Sequence, residues 1–220
     1  SAIRGLVAMS AVVLLGGGGH CRSVIDVIEQ IGIYSILGVL EKEGVSCSNL
    51  LGYPLLGSDH DLPAFIEQNC AVVITIGQIK TSEPREKLYR YAKEAGAEIP
   101  TVVSPRAYLS RHASIAAGTT VMHEAIVNCS AEIGENCIIN TKALVEHDAK
   151  IGNHTHIATG AFVNGEAQIG QRCFIGSGAV IHNDIDIGDG CLIGAGTIVQ
   201  TNLPDGTVLK GRQAATGMAI

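Results

Sequence analysis

The sequence predicts a left-handed parallel β-helix of about five coils, preceded by a small α/β Rossmann-like domain. Three observations predict it: an unbroken six-residue register of Ile or Val, a second register of small residues four positions later, and glycines recurring every eighteen residues. From Ile115 the first register runs through Val121, Val127, Ile133, Ile139, Val145, Ile151, Ile157, Val163, Ile169, Ile175, Ile181, Ile187 and Ile193 to Val199. The second, from Thr119 and Ala125 to Cys191 and Thr197, is small everywhere except at Ile185. One large and one small inward residue per hexapeptide is what each side of a triangular coil requires, with three sides to the turn. Ile-Gly at 133–134, 151–152, 169–170 and 187–188 stacks four glycines on one corner, where a tight turn favours a residue without Cβ.

The composition agrees. Hydrophobic residues make up 46% of the 220, yet aromatics are only 4%, Trp is absent and Gly reaches 27. Ile, Val, Leu and Ala with much Gly suit thin, evenly filled β walls better than a large globular core. A net charge of −6 without a basic block argues against nucleic acid or an anionic membrane as partner. No apolar run approaches the roughly 18 residues of a membrane span. The seven cysteines form no C-x-x-C pair, and Cys137, Cys173 and Cys191 fall at inward positions. Buried reduced thiols in a cytoplasmic protein are expected, rather than disulfides or zinc.

The expected divisions are an expression-tag remnant over 1–8, ahead of Met9-Ser10; a small α/β domain over 9–110; the β-helix over 111–204; and a tail over 205–220. In the α/β part, Val12–Leu15 reads as a strand, Gly16–Gly19 as a Gly-rich turn, and the stretch to about Gln30 as a helix. A strand over Ser35–Leu40, a helix over His60–Asn69, a strand over Ala71–Ile76 and a helix over Glu83–Ala95 follow, implying a parallel sheet. A Gly-rich turn that opens a helix offers free N–H groups to a phosphate. Cys21 stands where the third Gly of a dinucleotide fingerprint belongs, so the turn reads either as a phosphate site or as merely tight, and a full NAD site is not expected. His20 beside it either contacts a ligand or sits exposed.

Chemistry has to come from outward positions of the coil. His147 is third in its hexapeptide and His156 sixth, which places both side chains outside the prism. Stacking by eighteen sets Gly165 one coil above His147 and Cys129 one below, so an open notch is expected beside the imidazole. Glu146 and Asp148 flank it, and a carboxylate beside an imidazole fixes its tautomer and raises its basicity. The pattern fits a general base; an exposed ion pair is the plain alternative. Cys129 is a second, lesser candidate nucleophile. No two of the eight histidines stand five apart, as the zinc carbonic anhydrases of β-helix fold would require, and no metal is expected.

Over residues 10–215 the sequence resembles the sialic acid O-acetyltransferase and bacillosamine N-acetyltransferase group of bacterial sugar acetyltransferases. The resemblance rests on Gly16-Gly17-Gly18-Gly19-His20, Gly52-Tyr53-Pro54-Leu55-Leu56-Gly57, Ile74-Thr75-Ile76-Gly77 and the segment from Ile139 to Gly165. It implies a cytoplasmic homotrimer with acetyl-CoA in a groove between neighbouring coils and a nucleotide-linked amino sugar against the N-terminal domain. It implies His147 as base with Asp148 and a pocket of Asn140, His156 and Gly165, to which Glu146 is added from its place before His147; nucleotide-sugar contacts are expected at Gly17, Gly18, Gly19, His20 and Gly77. The tail Lys210-Gly211-Arg212-Gln213-Ala214 departs from many hexapeptide acyltransferases in lacking their Pro, while the Gly and Ala remain. The expected reaction is direct N-acetylation of a nucleotide-linked 4-amino-dideoxyhexose. O-acetylation of a sugar such as sialic acid is the alternative, and a non-catalytic scaffold a more distant one.

Overall fold

The structure is a computed structural model and describes residues 10–44 and 49–211. The expected tag remnant and most of the tail, with Arg212, Gln213 and Ala214, lie outside the described residues.

The N-terminal part is a five-stranded sheet with strand order β3-β4-β2-β1-β5. β1 (Ser10–Leu15) is an interior strand, since Val12–Leu15 are wholly buried and need cover on both faces. β2 (Tyr34–Leu40) and β5 (Ala71–Ile74) flank it in parallel. The edge formed by β3 (Asn49–Leu50) and β4 (Tyr53–Gly57) has no counterpart in the sequence reading, because Pro54 makes that stretch a poor strand former. α1 (Gly19–Ile31) buries Cys21, Val24, Ile25, Val27 and Ile28 on one face and ends at Gly32 in the left-handed region. The helix expected over 60–69 is shorter: a 3₁₀ turn at Asp59–Asp61 leads into α2 (Leu62–Ile66). α3 (Glu83–Glu94) packs against β5.

The coil is a left-handed β-helix of three parallel sheets, with six, five and seven strands. The first face runs from Tyr108–Leu109 to Ile198–Val199, the second from Ser114–Ile115 to Asp186–Ile187, and the third from Val102–Val103 to Val208–Leu209. The ladder thus begins at Val102, ahead of residue 111, because Val102 and Val103 pair with Thr120 and Val121. Both inward registers meet in one core from Val121 to Val199. The inward thiols of Cys137, Cys173 and Cys191 are buried and donate to the carbonyls of Gly152, Gly188 and Pro204 at 3.1–3.2 Å.

The corners correct one expectation. Gly134, Gly152, Gly170 and Gly188 do not supply a left-handed turn residue. Positive φ falls two residues later and repeats every six, at Asn136, Lys142, Asp148, His154 and onward, some of these corners holding glycine (Gly160, Gly178, Gly190, Gly196) and the others not. The four glycines are needed for stacking. A Cβ on Gly152 would lie 2.6 Å from Gln171 N, and one on Gly188 2.5 Å from Asp205 N.

Several contacts fasten the α/β part to the coil, among them those of Arg85 and His123. Arg85 of α3 is wholly buried; its guanidinium donates to Ile74 O and Ile76 O at 2.8 and 2.9 Å and to Asn136 O of the coil at 3.2 Å. His123 on the coil bridges Asp26 of α1, 2.7 Å from Nε2, and Ser104, 2.6 Å from Nδ1. This order suggests a hydrolytic triad, yet Ser104 is 2% exposed and its Oγ also accepts the Arg106 N–H, so it is a fastening.

Candidate active site

His147 stands at the corner between the first and second faces. Its backbone N–H donates to Glu146 Oε2 at 3.1 Å, and Asn128 Nδ2, one coil below, holds the same oxygen at 2.9 Å. Glu146 therefore anchors the corner. Asp148 adopts φ +59°, a left-handed conformation that Asp tolerates, and its Oδ2 lies 2.9 Å from His147 Nδ1. The carboxylate can only accept, so Nδ1 carries the proton and Nε2 keeps its lone pair. That hydrogen bond raises the imidazole above its ordinary pKa, with the charges of Asp148, Glu146 and Glu166 adding to it.

Gly165 lies above this ring. A Cβ there would sit 2.7 Å from both Cε1 and Nε2 of His147. The expected open notch is instead the room that the imidazole itself occupies, and Gly165 is buried against the ring. Cys129 is exposed one coil below, in line with its expected outward position.

Asn140 and His156 belong to a second cluster, under the α/β part. His156 projects outward from the third face as expected, but it is not open to solvent: it is 6% exposed. The segment after β5 closes over it. His156 Nδ1 donates to Gln78 O at 2.7 Å, and its Nε2 accepts from Asn140 Nδ2 at 3.0 Å. Burial lowers its pKa to about 4, so the ring is neutral with Nδ1 protonated. The Gln78 side chain is buried and donates to Cys173 O at 3.0 Å, while its Oε1 has no partner. His20 lies 6.5 Å from His156, centroid to centroid, with its pKa lowered by burial to about 3 and its Nε2 unpartnered. Gly77 lies beside it; a Cβ there would meet His20 Cβ at 3.4 Å, an ordinary contact. Hexapeptide position alone could not show this burial, because the cover comes from a segment more than seventy residues away. The residue missed was Gln78; Gly77, its neighbour in the quoted motif, was the only pointer to it.

The Gly-rich turn divides. The Gly17 N–H is held by Glu41 Oε2 and is not free for a ligand. Gly18 caps α1 without a side-chain cap, no acidic residue occupies the first helical turn, and open space surrounds Gly18 and Gly19. A cavity of about 800 Å³ opens at this end of the sheet, lined by Gly16, Glu41, Asp59, Ile76, Lys87 and Tyr91 among others. A groove of about 840 Å³ runs along the second face, past Glu132, Lys150, Gln168 and Asp186. Among the described residues no group of three or more His, Cys, Asp or Glu is arranged to hold a metal, and no helix is long and apolar enough to cross a membrane.

The expected site residues of the coil thus fall into two clusters, on either side of the first face. Strand Leu144–Val145 of that face lies between Asn140 at one corner and His147 at the other.

Comparisons with known proteins bear on both halves. The PglD N-terminal domain family matches residues 11–92, and the bacterial transferase hexapeptide family, six repeats to a unit, matches 130–165 and 166–201. A mutant of perosamine N-acetyltransferase from Caulobacter crescentus, solved with CoA and GDP-perosamine, is 31% identical, with TM-score 0.86 and 93% of this chain and 95% of that chain covered. The acetyltransferase domain of PglB from Neisseria gonorrhoeae, solved with acetyl coenzyme A, is 26% identical, with TM-score 0.85 and coverage of 92% and 97%. WeeI from Acinetobacter baumannii is 27% identical, with TM-score 0.82 and coverage of 92% and 97%. Comparison with curated proteins gave no match. Coil, α/β part and whole-chain likeness agree, and the chain belongs to the hexapeptide-repeat family of sugar acetyltransferases whose N-terminal domain is of the PglD type.

Proposed function

We propose that this protein transfers the acetyl group of acetyl-CoA to the amine of a nucleotide-linked 4-amino-dideoxyhexose, with His147 as general base. The observation that carries the assignment is the His147 Nδ1 to Asp148 Oδ2 hydrogen bond of 2.9 Å, which leaves Nε2 as an acceptor. The amine attacks the thioester carbonyl, His147 Nε2 takes its proton, and Asp148 stabilises the imidazolium that forms. The N–H of Gly165 has no partner among the described residues and serves the tetrahedral oxyanion.

The nucleotide is assigned to the cavity at the carboxyl end of the parallel strands, where open α/β sheets take their ligands, with its phosphates at the uncapped start of α1. Acetyl-CoA is assigned to a groove beside the His147 corner. The binding unit is a homotrimer. Tyr108, Ile126, Phe162 and Ile198 stack in register on the first face at 58, 39, 42 and 61% exposure, an apolar stripe suited to a second copy. The same face separates the two polar clusters of one chain, so the His147 corner of one copy meets the Asn140–His156 cluster of the next.

The test is release of free CoA from acetyl-CoA with a panel of UDP- and GDP-linked 4-amino sugars. Release with one acceptor, lost in His147→Ala while acetyl-CoA binding stays intact, is expected. Release with free sialic acid alone would transfer the activity to O-acetylation, and equal loss of CoA affinity in His147→Ala would remove the base assignment.

A further inference from the structure

The corner amides near the Gly positions are largely committed. The N–H groups of Glu135, Thr141, His147 and Gln171 are each held by a side-chain oxygen of Asn153, Asn140, Glu146 or Asp189. At the His147 corner the N–H groups of Gly165 and Asn183 have no partner among the described residues, and a side-chain donor can join them in holding the developing oxyanion.

One is in place. Asn183 stands one coil above Gly165, and Asp184 N donates to Gly165 O at 3.1 Å, which fixes that coil's register. A Cβ on Gly165 would lie 3.3 Å from Asn183 Nδ2 and 2.7 Å from His147 Nε2. The two nitrogens are thus no further apart than those distances together, yet they make no hydrogen bond to each other. The Asn183 side chain is exposed and makes no side-chain hydrogen bond among the described residues. Nδ2 can donate and Nε2 can accept, and both nitrogens border the space that a side chain at Gly165 would fill.

The group that fits between them presents a hydrogen to Nε2 and a lone pair to Nδ2. The tetrahedral adduct of amine and thioester has this form, with N–H and C–O⁻ on adjacent atoms. The free amine alone does not fit productively, since Asn183 would then bind the lone pair that must attack.

Resting on the acetyl-transfer reading above, we infer that Asn183 is a catalytic residue that donates its Nδ2–H to the carbonyl oxygen of the thioester as that oxygen becomes anionic. The amine nitrogen forms the C–N bond while the carbonyl π pair moves to oxygen, held by Asn183. The adduct's N–H proton passes to His147 Nε2. The carbonyl re-forms, the C–S bond breaks, and the CoA thiolate leaves with that proton. Only an interaction stronger in the adduct than in bound acetyl-CoA raises the rate of this step.

The experiment compares wild type, Asn183→Ala and Asn183→Asp with the acceptor that wild type uses. Asp keeps the shape of Asn and replaces the donor with a negatively charged acceptor. Removing one donor from an oxyanion hole costs on the order of 10²–10³ in kcat where the site is dry, and about tenfold or more is expected at this exposed corner. Both variants are expected to lose kcat by that factor, with KM for acetyl-CoA within about twofold and the acidic limb of the Asn183→Ala pH–rate profile unmoved. Wild-type kcat in Asn183→Asp, or a raised KM at unchanged kcat in either variant, overturns the assignment. Silence of the wild type with every acceptor overturns the underlying transfer reading and this inference with it, whereas an active wild type with unaffected variants overturns the Asn183 role alone.

Discussion

His156 Nδ1 donates to the backbone carbonyl of Gln78 at 2.7 Å, so a strand of the coil and the loop after β5 share one proton across their boundary. The ring is 6% exposed, its other nitrogen is taken by Asn140, and His20 lies beside it. The cluster is therefore a neutral one.

Acid stability follows from that neutrality. The pKa of His156 falls to about 4 and that of His20 to about 3 from an ordinary 6.5. In the folded protein both stay neutral as pH drops below 6.5, while in the unfolded chain both take up protons. Stability is fully present above about 6.5 and is lost as pH falls toward the folded values, by about 1.4 kcal/mol per pH unit for each ring. Denaturant titrations from pH 7.5 to 5 should show this slope, and His20→Asn should remove about half of it. A flat profile would contradict the buried neutral rings.

Asp148→Asn tests the tautomer. Losing the carboxylate removes the chief cause of the raised His147 pKa, so the acidic limb of kcat/KM moves to lower pH. The amide no longer holds Nδ1–H against Nε2–H with a charge, and kcat falls by about tenfold to hundredfold, less than the roughly 10⁴ of a buried triad. A limb that stays in place would mean that another group titrates in it.

Gly165→Ala should act on the ring rather than on the coil. The new Cβ would fall 2.7 Å from Cε1 and Nε2, closer than real contacts allow, so the exposed imidazole swings aside. Turnover drops by about tenfold or more through misplacement of the base, with little change in melting temperature. A large stability loss at full activity would reverse this account.

Arg85→Met leaves the carbonyls of Ile74, Ile76 and Asn136 without their donor in a buried site. At about 1–3 kcal/mol for each group left unsatisfied, a loss of about 3 kcal/mol or more is expected in urea unfolding. A change under about 1 kcal/mol would show that water replaces the guanidinium.

Assembly can be separated from chemistry with Phe162→Glu, which sets a charge in the middle of the exposed stripe. Sedimentation should show a trimer for wild type and smaller species for the variant, with activity lost although the His147 corner is unaltered. An active monomer would end the shared-site reading.

The coil was legible because its inward positions obey a six-residue period that no other fold imposes, and Ile115 to Val199 carry it without a gap. The His147 corner was legible for the same reason: stacking by eighteen sets Gly165 over the ring. Asn183 lay one further step along that stack. The corner conformation was misread because Lys142, Asp148 and Arg172 take positive φ where glycine would be looked for. The cover on His156 was illegible in principle, since hexapeptide phase says which way a side chain leaves the prism and nothing about what folds over it. Tyr53–Gly57 escaped notice because its pairing to β2 outweighs the penalty of Pro54.

The positive-φ residue every six positions also limits how such a chain can change length. One inserted residue between His147 and Asn183 would turn every later inward side chain out of the prism and carry Asn183 off the His147 corner. Six inserted residues would restore the core yet rotate the downstream coil by one face, so Gly165 and Asn183 would crown a different edge. Only a whole turn of eighteen, added above Asn183 or below Asn128, leaves the constellation intact, so length variation in this lineage is expected to come in complete turns at the ends of the prism.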